Sequence, residues 1–191
     1  MHRSLVLALL GTVGLSTALE AREIFVSNEK GNSITVIDGT SLEVKATIPV
    51  GNRPRGIVLS PDGKLLYITA SDDDTIQIMD TSTHQIVGTL PSGPDPELMD
   101  ISPDGTMMYI ANEDDNMVTV VDLVSRQPLS EIPVGVEPEG MAVSHDGRWA
   151  VTTSETTNMV HWIDTKTHEI VANTLVAQRP RHARFSADDR L

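Results

Sequence analysis

Short apolar runs recur along the chain and are separated by polar turns. Between residues 23 and 176 the runs are rich in Val, Ile, Thr and Met, and Gly, Pro, Asn or Asp bounds them. Runs of roughly four to eight residues with such boundaries are typical of β-strands. No segment of this region keeps a 3.6-residue period long enough for a helix, so the sequence predicts an all-β fold.

The turns repeat at a constant spacing of 42 residues. Ser-Pro-Asp-Gly begins at Ser60 and again at Ser102, and related tetrapeptides begin at Ser144 and Ser186. Three further sets of positions keep the same spacing: Asp38, Asp80, Asp122 and Asp164; Pro54, Pro96, Pro138 and Pro180; Asn32, Asp74, Asn116 and Asn158. A period of about 40–45 residues with four strands in each unit indicates the blades of a β-propeller.

Each unit is predicted to hold four strands, which in the third unit cover residues 140–144, 149–154, 159–164 and 169–176. Asp-Gly suits the first hairpin because Gly adopts positive φ readily. The Asn or Asp before the third strand suits a tight turn. The Asp that ends the third strand is expected to accept backbone N–H groups of the next turn, which is a structural role.

The phase of the repeat predicts incomplete blades at both ends. Residues 23–27 align with second strands, so the first strand of that blade is expected from the far C-terminal part of the protein. Three blades are predicted to be complete, and the last is predicted to hold little but its inner strand. A closed ring needs more blades, so we expect a truncated propeller with open sheet edges.

The N-terminus has the features of a secretory signal peptide. His2 and Arg3 precede an apolar stretch, and small residues end it at Ala18. We predict a signal peptide over residues 1–18, with cleavage as late as residue 21, followed by a propeller domain over 19–191. The apolar stretch is too short to span a bilayer. The mature protein is therefore expected in the periplasm, without a membrane span.

The amino-acid composition excludes several kinds of partner and binding site. The net charge of −13 argues against a nucleic-acid partner, since phosphate binding needs clustered Lys and Arg. The absence of cysteine excludes disulfides, thiolate metal sites and covalent haem attachment. Only two Trp, two Tyr and two Phe are present, so Val, Ile, Leu and Met must fill the core.

Charged residues flank the repeated proline, and their sign changes from blade to blade. The flanking residues are Arg53 and Arg55, Asp95 and Glu97, Glu137 and Glu139, and Arg179 and Arg181. This turn leads into the inner strand, so the side chains are predicted to surround one end of the central channel. We predict a polar binding funnel there, together with His182 of the inner strand. Mutual ion pairs and solvated turns are the structural alternative.

The loops between second and third strands are acidic, notably at Asp72–Asp74 and Glu113–Asp115, and a related loop covers residues 154–157. Neither acidic run has the Asp-x-Asp-x-Asp-Gly spacing of a calcium loop, so solvated turns are predicted and no metal site is assigned. No phosphate-binding loop and no nucleophile elbow occurs, and no catalytic residue is identified.

Several segments resemble known propeller families. Residues 108–112 (Met-Tyr-Ile-Ala-Asn) and 120–122 (Val-Val-Asp) resemble the YVTN-type repeat. Blade-specific segments are similar to the PQQ-dependent catabolism-associated β-propeller family; they cover residues 26–32, 91–97, 111–115, 136–144 and 153–159. This resemblance implies a seven-bladed periplasmic propeller, of which about four blades are present. It assigns no catalytic residues.

The resemblance implies a role beside a quinoprotein alcohol-oxidation system. The expected partners are a PQQ dehydrogenase, its cytochrome acceptor or a transporter binding protein. PQQ is implied only for the associated dehydrogenase, and no cofactor is identified for this chain. A non-catalytic binding or scaffold protein is favoured. A channel-mouth enzyme, such as a lactonase-like hydrolase, and a surface or adhesion propeller are the alternatives, because fold alone does not decide function.

Overall fold

The computed structural model describes residues 23–189. The predicted signal peptide lies outside these residues. Fifteen strands make up almost all of the regular structure, and two short 3-10 turns, Glu29–Gly31 and Ser71–Asp73, follow β1 and β5. The strands are β1 Glu23–Asn28, β2 Ser33–Asp38, β3 Val44–Pro49, β4 Pro54–Leu59, β5 Leu65–Ala70, β6 Thr75–Asp80, β7 Gln85–Pro91, β8 Pro96–Ile101, β9 Met107–Asn112, β10 Met117–Asp122, β11 Gln127–Pro133, β12 Pro138–Val143, β13 Trp149–Ser154, β14 Met159–Asp164 and β15 Glu169–Leu175.

The strands form four antiparallel sheets in chain order. The first sheet has three strands, β1 to β3, and each of the others has four: β4–β7, β8–β11 and β12–β15. Inner strands of successive four-stranded sheets lie side by side, β4 against β8 and β8 against β12, and β1 of the first sheet lies against β4. The prediction of an all-β, partial propeller of four-stranded blades is confirmed, including the first blade without its inner strand.

The turn residues adopt the backbone conformations that the repeat predicts. Gly63, Gly105 and Gly147 of the first hairpins have φ of 70°, 73° and 71°. Before each third strand, a residue with a short polar side chain also has positive φ: Asn32, Asp74, Asn116 and Asn158. Asn and Asp tolerate this left-handed region better than other residues with a Cβ. The 42-residue register is thus fixed by local turn chemistry.

The aspartate at the end of each third strand binds the next turn, as predicted. Oδ1 of Asp38 accepts the N–H groups of Thr40 at 2.9 Å and Ser41 at 2.8 Å. Three equivalent carboxylates accept the corresponding pairs of N–H groups: Asp80, Asp122 and Asp164. These bonds compete with continued strand pairing and so end the strand.

The core consists of three apolar layers, one at each junction between successive sheets. Ile34 of the first sheet packs with Leu66 and Ile68 of the second. The next layers join the second sheet to the third and the third to the fourth. Each junction uses aliphatic side chains and Met with few aromatic rings, which agrees with the composition. Burial between sheets, rather than one central core, stabilises the fold.

The C-terminal stretch differs from the prediction. An inner strand was expected after Pro180, but residues 176–189 form no strand. Within the described residues this stretch has no hairpin partner, and a strand requires paired backbone groups. Its main chain nevertheless lies where an inner strand would, since a Cβ on Gly140 would be 2.9 Å from Cα of His182. Gly56 is approached in the same way by the main chain of Glu97 and Leu98 in β8.

Candidate channel-mouth site

The channel mouth comprises the four turns 53–55, 95–97, 137–139 and 179–181, each centred on the repeated proline. The residue before the proline has positive φ in every case: Arg53, Asp95, Glu137 and Arg179. Its N–H donates to the side chain 21 residues earlier, at 3.0 Å in all four turns: Asn32, Asp74, Asn116 and Asn158. The polar turn residue of one blade therefore holds the connection to the next blade and orients the charged side chains.

Glu97 is the centre of the first half of the mouth. Its side chain is fully buried, and Oε1 accepts a hydrogen bond from Nη2 of Arg53 at 2.8 Å. Nη2 of Arg55 lies 2.5 Å from Oε2. Arg53 also pairs with Asp95. Nη2 of Arg55 donates to Oε2 of Glu139 at 3.2 Å, which links the second sheet to the fourth.

Glu155 is the centre of the second half. It pairs with both Arg179 and Arg181, and its side chain is only 4% exposed. Nε of Arg181 lies 3.7 Å from Oε1 of Glu139, so Glu139 joins the two halves. The structure thus brings together Arg53, Arg55, Asp95, Glu97, Glu139, Arg179 and Arg181 in one network of ion pairs, which is the alternative that the sequence left open.

Two of the predicted site residues lie apart from this network. Glu137 accepts a hydrogen bond from the hydroxyl of Thr156 instead of pairing with an arginine. His182 lies lower in the channel wall, where it lines a cavity of about 520 Å³. The cavity is open to solvent and is lined mainly by apolar side chains, among them Met99 and Met141 of the inner strands and Phe185 of the C-terminal stretch.

The sequence prediction missed Glu155, because the whole loop was interpreted as a solvated turn. That interpretation is wrong for Glu155, which is buried by the arginines of the following turn. It holds for Asp72–Asp74, whose residues are exposed. The 42-residue repeat could have singled out Glu155, because Glu recurs at this repeat position. It occupies residues 29, 113 and 155, and Ser occupies residue 71. Glu29 also lies near an arginine of the following turn, with Oε1 at 3.5 Å from Nη1 of Arg55.

Burial changes the protonation of the central carboxyls. Desolvation raises the pKa of Glu97 to about 8; Arg55 opposes this rise, and the nearby Glu139 and Glu113 add to it. Desolvation, with a hydrogen bond to Glu155, raises the pKa of Glu139 to about 7. Arg181, as the largest cause, lowers the pKa of Glu155. The mouth therefore includes carboxyls whose pKa values are raised by burial although arginines lie beside them.

A second grouping of carboxylates lies within the first half. Asp95, Glu97 and Glu113 each place one carboxylate oxygen within 4.8 Å of the other two. Asp95 and Glu97 flank Pro96, and Glu113 follows β9, which pairs with β8. Among residues 23–189, these are the acidic side chains whose carboxylate oxygens lie close enough together to hold a cation.

Comparisons with known proteins agree with this fold. A family model described as "Cytochrome D1 heme domain" matches residues 60–187, and one described as "YNCE-like beta-propeller" matches residues 3–100. Hydrazine synthase from Kuenenia stuttgartiensis is similar in structure, with a TM-score of 0.75 and 25% sequence identity. The match covers 81% of this chain and 46% of that one, so the chain spans about half the length of this relative.

No curated protein matches the chain. Within residues 23–189, no helix has the length and apolar character needed to cross a membrane. Two family models, each matching more than half of the chain, and a solved structure all point to the same architecture. The chain belongs to the β-propeller families that the YNCE-like and cytochrome D1 heme-domain models describe.

Proposed function

We propose that this protein is a non-catalytic binding propeller of an exported alcohol-oxidation system, and that its channel mouth docks a partner protein. The observation that carries the proposal is the charge pattern of the mouth. The repeat requires only the proline of each turn, yet the flanking residues change sign between blades and form one network across them. A preorganised polar surface of this kind favours specific docking.

The ion-pair network of the channel mouth contains exposed charged side chains as well as buried ones. Beneath the surface lie Glu97 and Glu155, while the side chains of Arg179 and Arg181 are 66% and 53% exposed. Asp72, which lies 3.5 Å from Nε of Arg53, is 59% exposed. Buried carboxylates thus hold arginine side chains that are themselves largely exposed. Holding the long side chains in place beforehand reduces the entropy lost on binding.

The sequence resemblance supports an oxidative setting. It implies PQQ-dependent alcohol oxidation in the periplasm, with a quinoprotein dehydrogenase, its cytochrome or a transporter binding protein as partner. The matched family model and the matched structure carry the names cytochrome D1 heme domain and hydrazine synthase. Export through the signal peptide over residues 1–18 is part of this proposal.

The residues of the mouth do not fit PQQ, which carries several carboxylates. All four arginines of the mouth already pair with carboxylates of the chain: Arg53, Arg55, Arg179 and Arg181. We therefore assign PQQ to the associated dehydrogenase. A haem would need an axial ligand, and the imidazoles against the 520 Å³ cavity are those of His145 and His182. Nδ1 of His145 lies 2.8 Å from Asp189, so Nε2 is the nitrogen of His145 that could hold a haem iron.

A hydrolase at the channel mouth is the second candidate. It is favoured by the raised pKa values of Glu97 and Glu139, which suit proton transfer near neutral pH. The burial of Glu97 argues against it, because a fully buried carboxyl cannot contact a substrate unless the network opens. The adhesion alternative has no supporting contact in the described residues.

A pull-down tests the docking proposal. Signal-cleaved protein serves as bait in periplasmic extract from cells grown on an alcohol, with mass spectrometry as the readout. We expect recovery of a dehydrogenase, its cytochrome or a transporter binding protein. Arg179→Glu should reduce recovery at least tenfold. Lys64→Glu is the control, because Lys64 is exposed in the hairpin at the opposite end of the blade.

Equal recovery by Arg179→Glu and wild-type protein would contradict docking at the mouth. Recovery of no specific partner would contradict the scaffold role. Activity assays with lactones and aldehydes distinguish the hydrolase from the docking protein, since only the hydrolase would convert these substrates.

A further inference from the structure

His161 of β14 binds the connection between the third and fourth sheets. This connection, residues 134–137, runs from β11 to β12, and the N–H of Gly135 donates to Nε2 of His161 at 3.0 Å. Nδ1 of His161 lies 2.6 Å from Oδ1 of Asn173, the residue opposite it on β15. His161 is only 7% exposed. Both nitrogens of a buried imidazole are therefore hydrogen-bonded.

These two contacts define the protonation state of the ring. A backbone N–H can only donate, so Nε2 must carry no proton in order to accept from Gly135. A neutral imidazole has one N–H group, which is then on Nδ1 and donates to the amide oxygen of Asn173. A proton added to Nε2 would turn the acceptor into a donor. Two N–H groups would then face each other, and the hydrogen bond of Gly135 would be lost.

The second sheet has the same bond with an acceptor that does not titrate. Gly51 and Gln77 lie two repeats before Gly135 and His161, and the N–H of Gly51 donates to Oε1 of Gln77 at 2.8 Å. The repeat therefore accepts an amide at this position and does not require an imidazole. Imidazole is the side chain that ordinarily changes charge between pH 5 and 8, so His161 makes this one bond sensitive to pH.

The cleft beside the ring offers no compensation for a positive charge. Within residues 23–189, the side chains that line it with His161 carry no ionisable group: Pro133, Val134, Thr157, Met159, Ile170 and Asn173. The layer between the third and fourth sheets is apolar apart from the phenol of Tyr109. A charge placed in such surroundings without a partner is costly.

The charged side chains of the elements packed against His161 have other neighbours. Asp115 lies beside Gly93, Glu131 opposite Thr119, Glu137 against the hydroxyl of Thr156, Glu155 against Arg179 and Arg181, and Asp164 opposite Glu169. Asp164 and Glu169 are at the end of β14 and β15 farthest from the connection. The protonation of His161 is therefore governed chiefly by its bond to Gly135.

We propose that the hydrogen bond between Gly135 and His161 is a pH-sensitive switch of the connection 134–137. With a neutral imidazole, the bond holds Gly135 against β14. Protonation of Nε2 breaks the bond, and Gly135 then opens locally. The neighbouring bonds persist, because the N–H groups of Val134 and Glu137 donate to the carbonyl and side-chain oxygens of Asn116. The switch therefore loosens one residue without unfolding a sheet, and it does not depend on the docking function.

Amide hydrogen exchange, measured by NMR on the ¹⁵N-labelled, signal-cleaved protein, tests the switch, because exchange reports local opening. Protection factors, which correct for the intrinsic pH dependence of exchange, are compared at pH 5 and pH 7.5. We expect the protection of Gly135 to fall at least tenfold at pH 5. Gly51 is the internal control, since Gln77 accepts its N–H at both pH values, and its protection should change less than twofold.

His161→Gln should abolish the fall at Gly135, because it places at residue 161 the amide that residue 77 carries. His168→Asn is the matched control. It removes another imidazole from the same sheet, and Asn tolerates the positive φ of residue 168, so the fall at Gly135 should remain. An equal fall in His161→Gln and the wild type would overturn the proposal. Unchanged protection of Gly135 in the wild type, or an equal fall at Gly51, would also overturn it.

The ring nitrogens of His161 give a second readout that needs no variant. Long-range ¹H–¹⁵N spectra of the wild type should show the proton on Nδ1 at pH 7.5 and protons on both nitrogens at pH 5. The protection of Gly135 should fall with the same midpoint. A proton on Nε2 at pH 7.5 would contradict the switch, and so would a ring that gains its second proton while Gly135 stays protected.

Discussion

Arg55 and Glu139 meet across the channel mouth although 84 residues separate them in sequence. Nη2 of Arg55 lies 3.2 Å from Oε2 of Glu139, and the two residues belong to sheets that are not adjacent. Glu97 of the intervening sheet contacts the same guanidinium. The mouth is therefore one linked unit across three sheets, whereas apolar contacts join only neighbouring sheets.

Truncation of Glu97 should destabilise the protein. Glu97→Ala removes the shared acceptor of Arg53 and Arg55 and leaves both guanidiniums partly buried without it. We expect the free energy of unfolding to fall by about 3 kcal/mol, as for the loss of one partner of a buried ion pair. Urea unfolding followed by circular dichroism measures the change.

Asp114→Ala serves as the control for Glu97→Ala because its side chain is exposed. Its effect should stay within about 0.5 kcal/mol. A loss below about 1 kcal/mol for Glu97→Ala would show that the network contributes little to stability.

Stability should decrease as pH rises from about 5 to 8. The pKa values of Glu97 and Glu139 are raised in the folded state to about 8 and about 7, from 4.5. Above pH 4.5 the unfolded chain has released protons that the folded chain still binds, so each unit of pH favours unfolding until the folded pKa is passed. We expect the free energy of unfolding to fall over this pH range and to level off above about pH 9.

Glu97→Gln isolates the contribution of one carboxyl to this pH dependence. Gln does not titrate, so the variant should lose less stability over the same pH range than the wild type does. Chemical unfolding at pH 5, 7 and 9 compares the two proteins. An increase in wild-type stability over this range would contradict the pKa values assigned to the mouth.

Gly135 should not tolerate a methyl group. A Cβ at this position would overlap the hydroxyl of Thr157 and lie 2.8 Å from Nε2 of His161, which accepts the Gly135 N–H at 3.0 Å. Gly135→Ala should cost about 1–3 kcal/mol through overpacking. Thermal and urea unfolding measure this cost.

The chain offers a matched control, because residue 177 occupies the same repeat position and is naturally Ala. Ala177→Gly should change stability by less than 1 kcal/mol. Adding Thr157→Ala to Gly135→Ala should recover part of the loss by removing the overlapping hydroxyl. Full stability of Gly135→Ala alone would show that the turn relaxes freely.

Acid should destabilise the blades through the aspartates that end the third strands. A side-chain hydrogen bond from Ser82, followed by the backbone N–H of Thr83, lowers the pKa of Asp80 from 3.8 to about 2. Its contribution is present above pH 4 and is lost as pH falls through 2, because the folded state then has to bind the proton. Asp80→Asn should lower the Tm at pH 5 by about 2–4 °C. Between pH 5 and pH 2, the Tm of this variant should fall by less than the Tm of the wild type. Scanning calorimetry with Asp114→Asn as control checks this; an unchanged acid dependence in Asp80→Asn would contradict it.

Local turn chemistry made the fold predictable from sequence. Gly63 and Asn32 need positive φ, and Asp38 binds the N–H groups that follow it, so each feature acts within a few residues of its own position. Repetition every 42 residues turned these local signals into a blade count. The missing strand after Pro180 was not predictable in this way, since a strand also depends on its pairing partner.

The sequence alone determined the blades, their register and the set of residues beside each proline. Only the tertiary structure decided which of those residues meet: Arg55 contacts Glu139, Glu137 stays outside the network, and Glu155 becomes buried. The physical reason is distance along the chain. Turn preferences depend on neighbouring residues, whereas burial and ion pairing at the mouth depend on how adjacent blades are arranged around the channel, which determines the local dielectric and the partner of each charge.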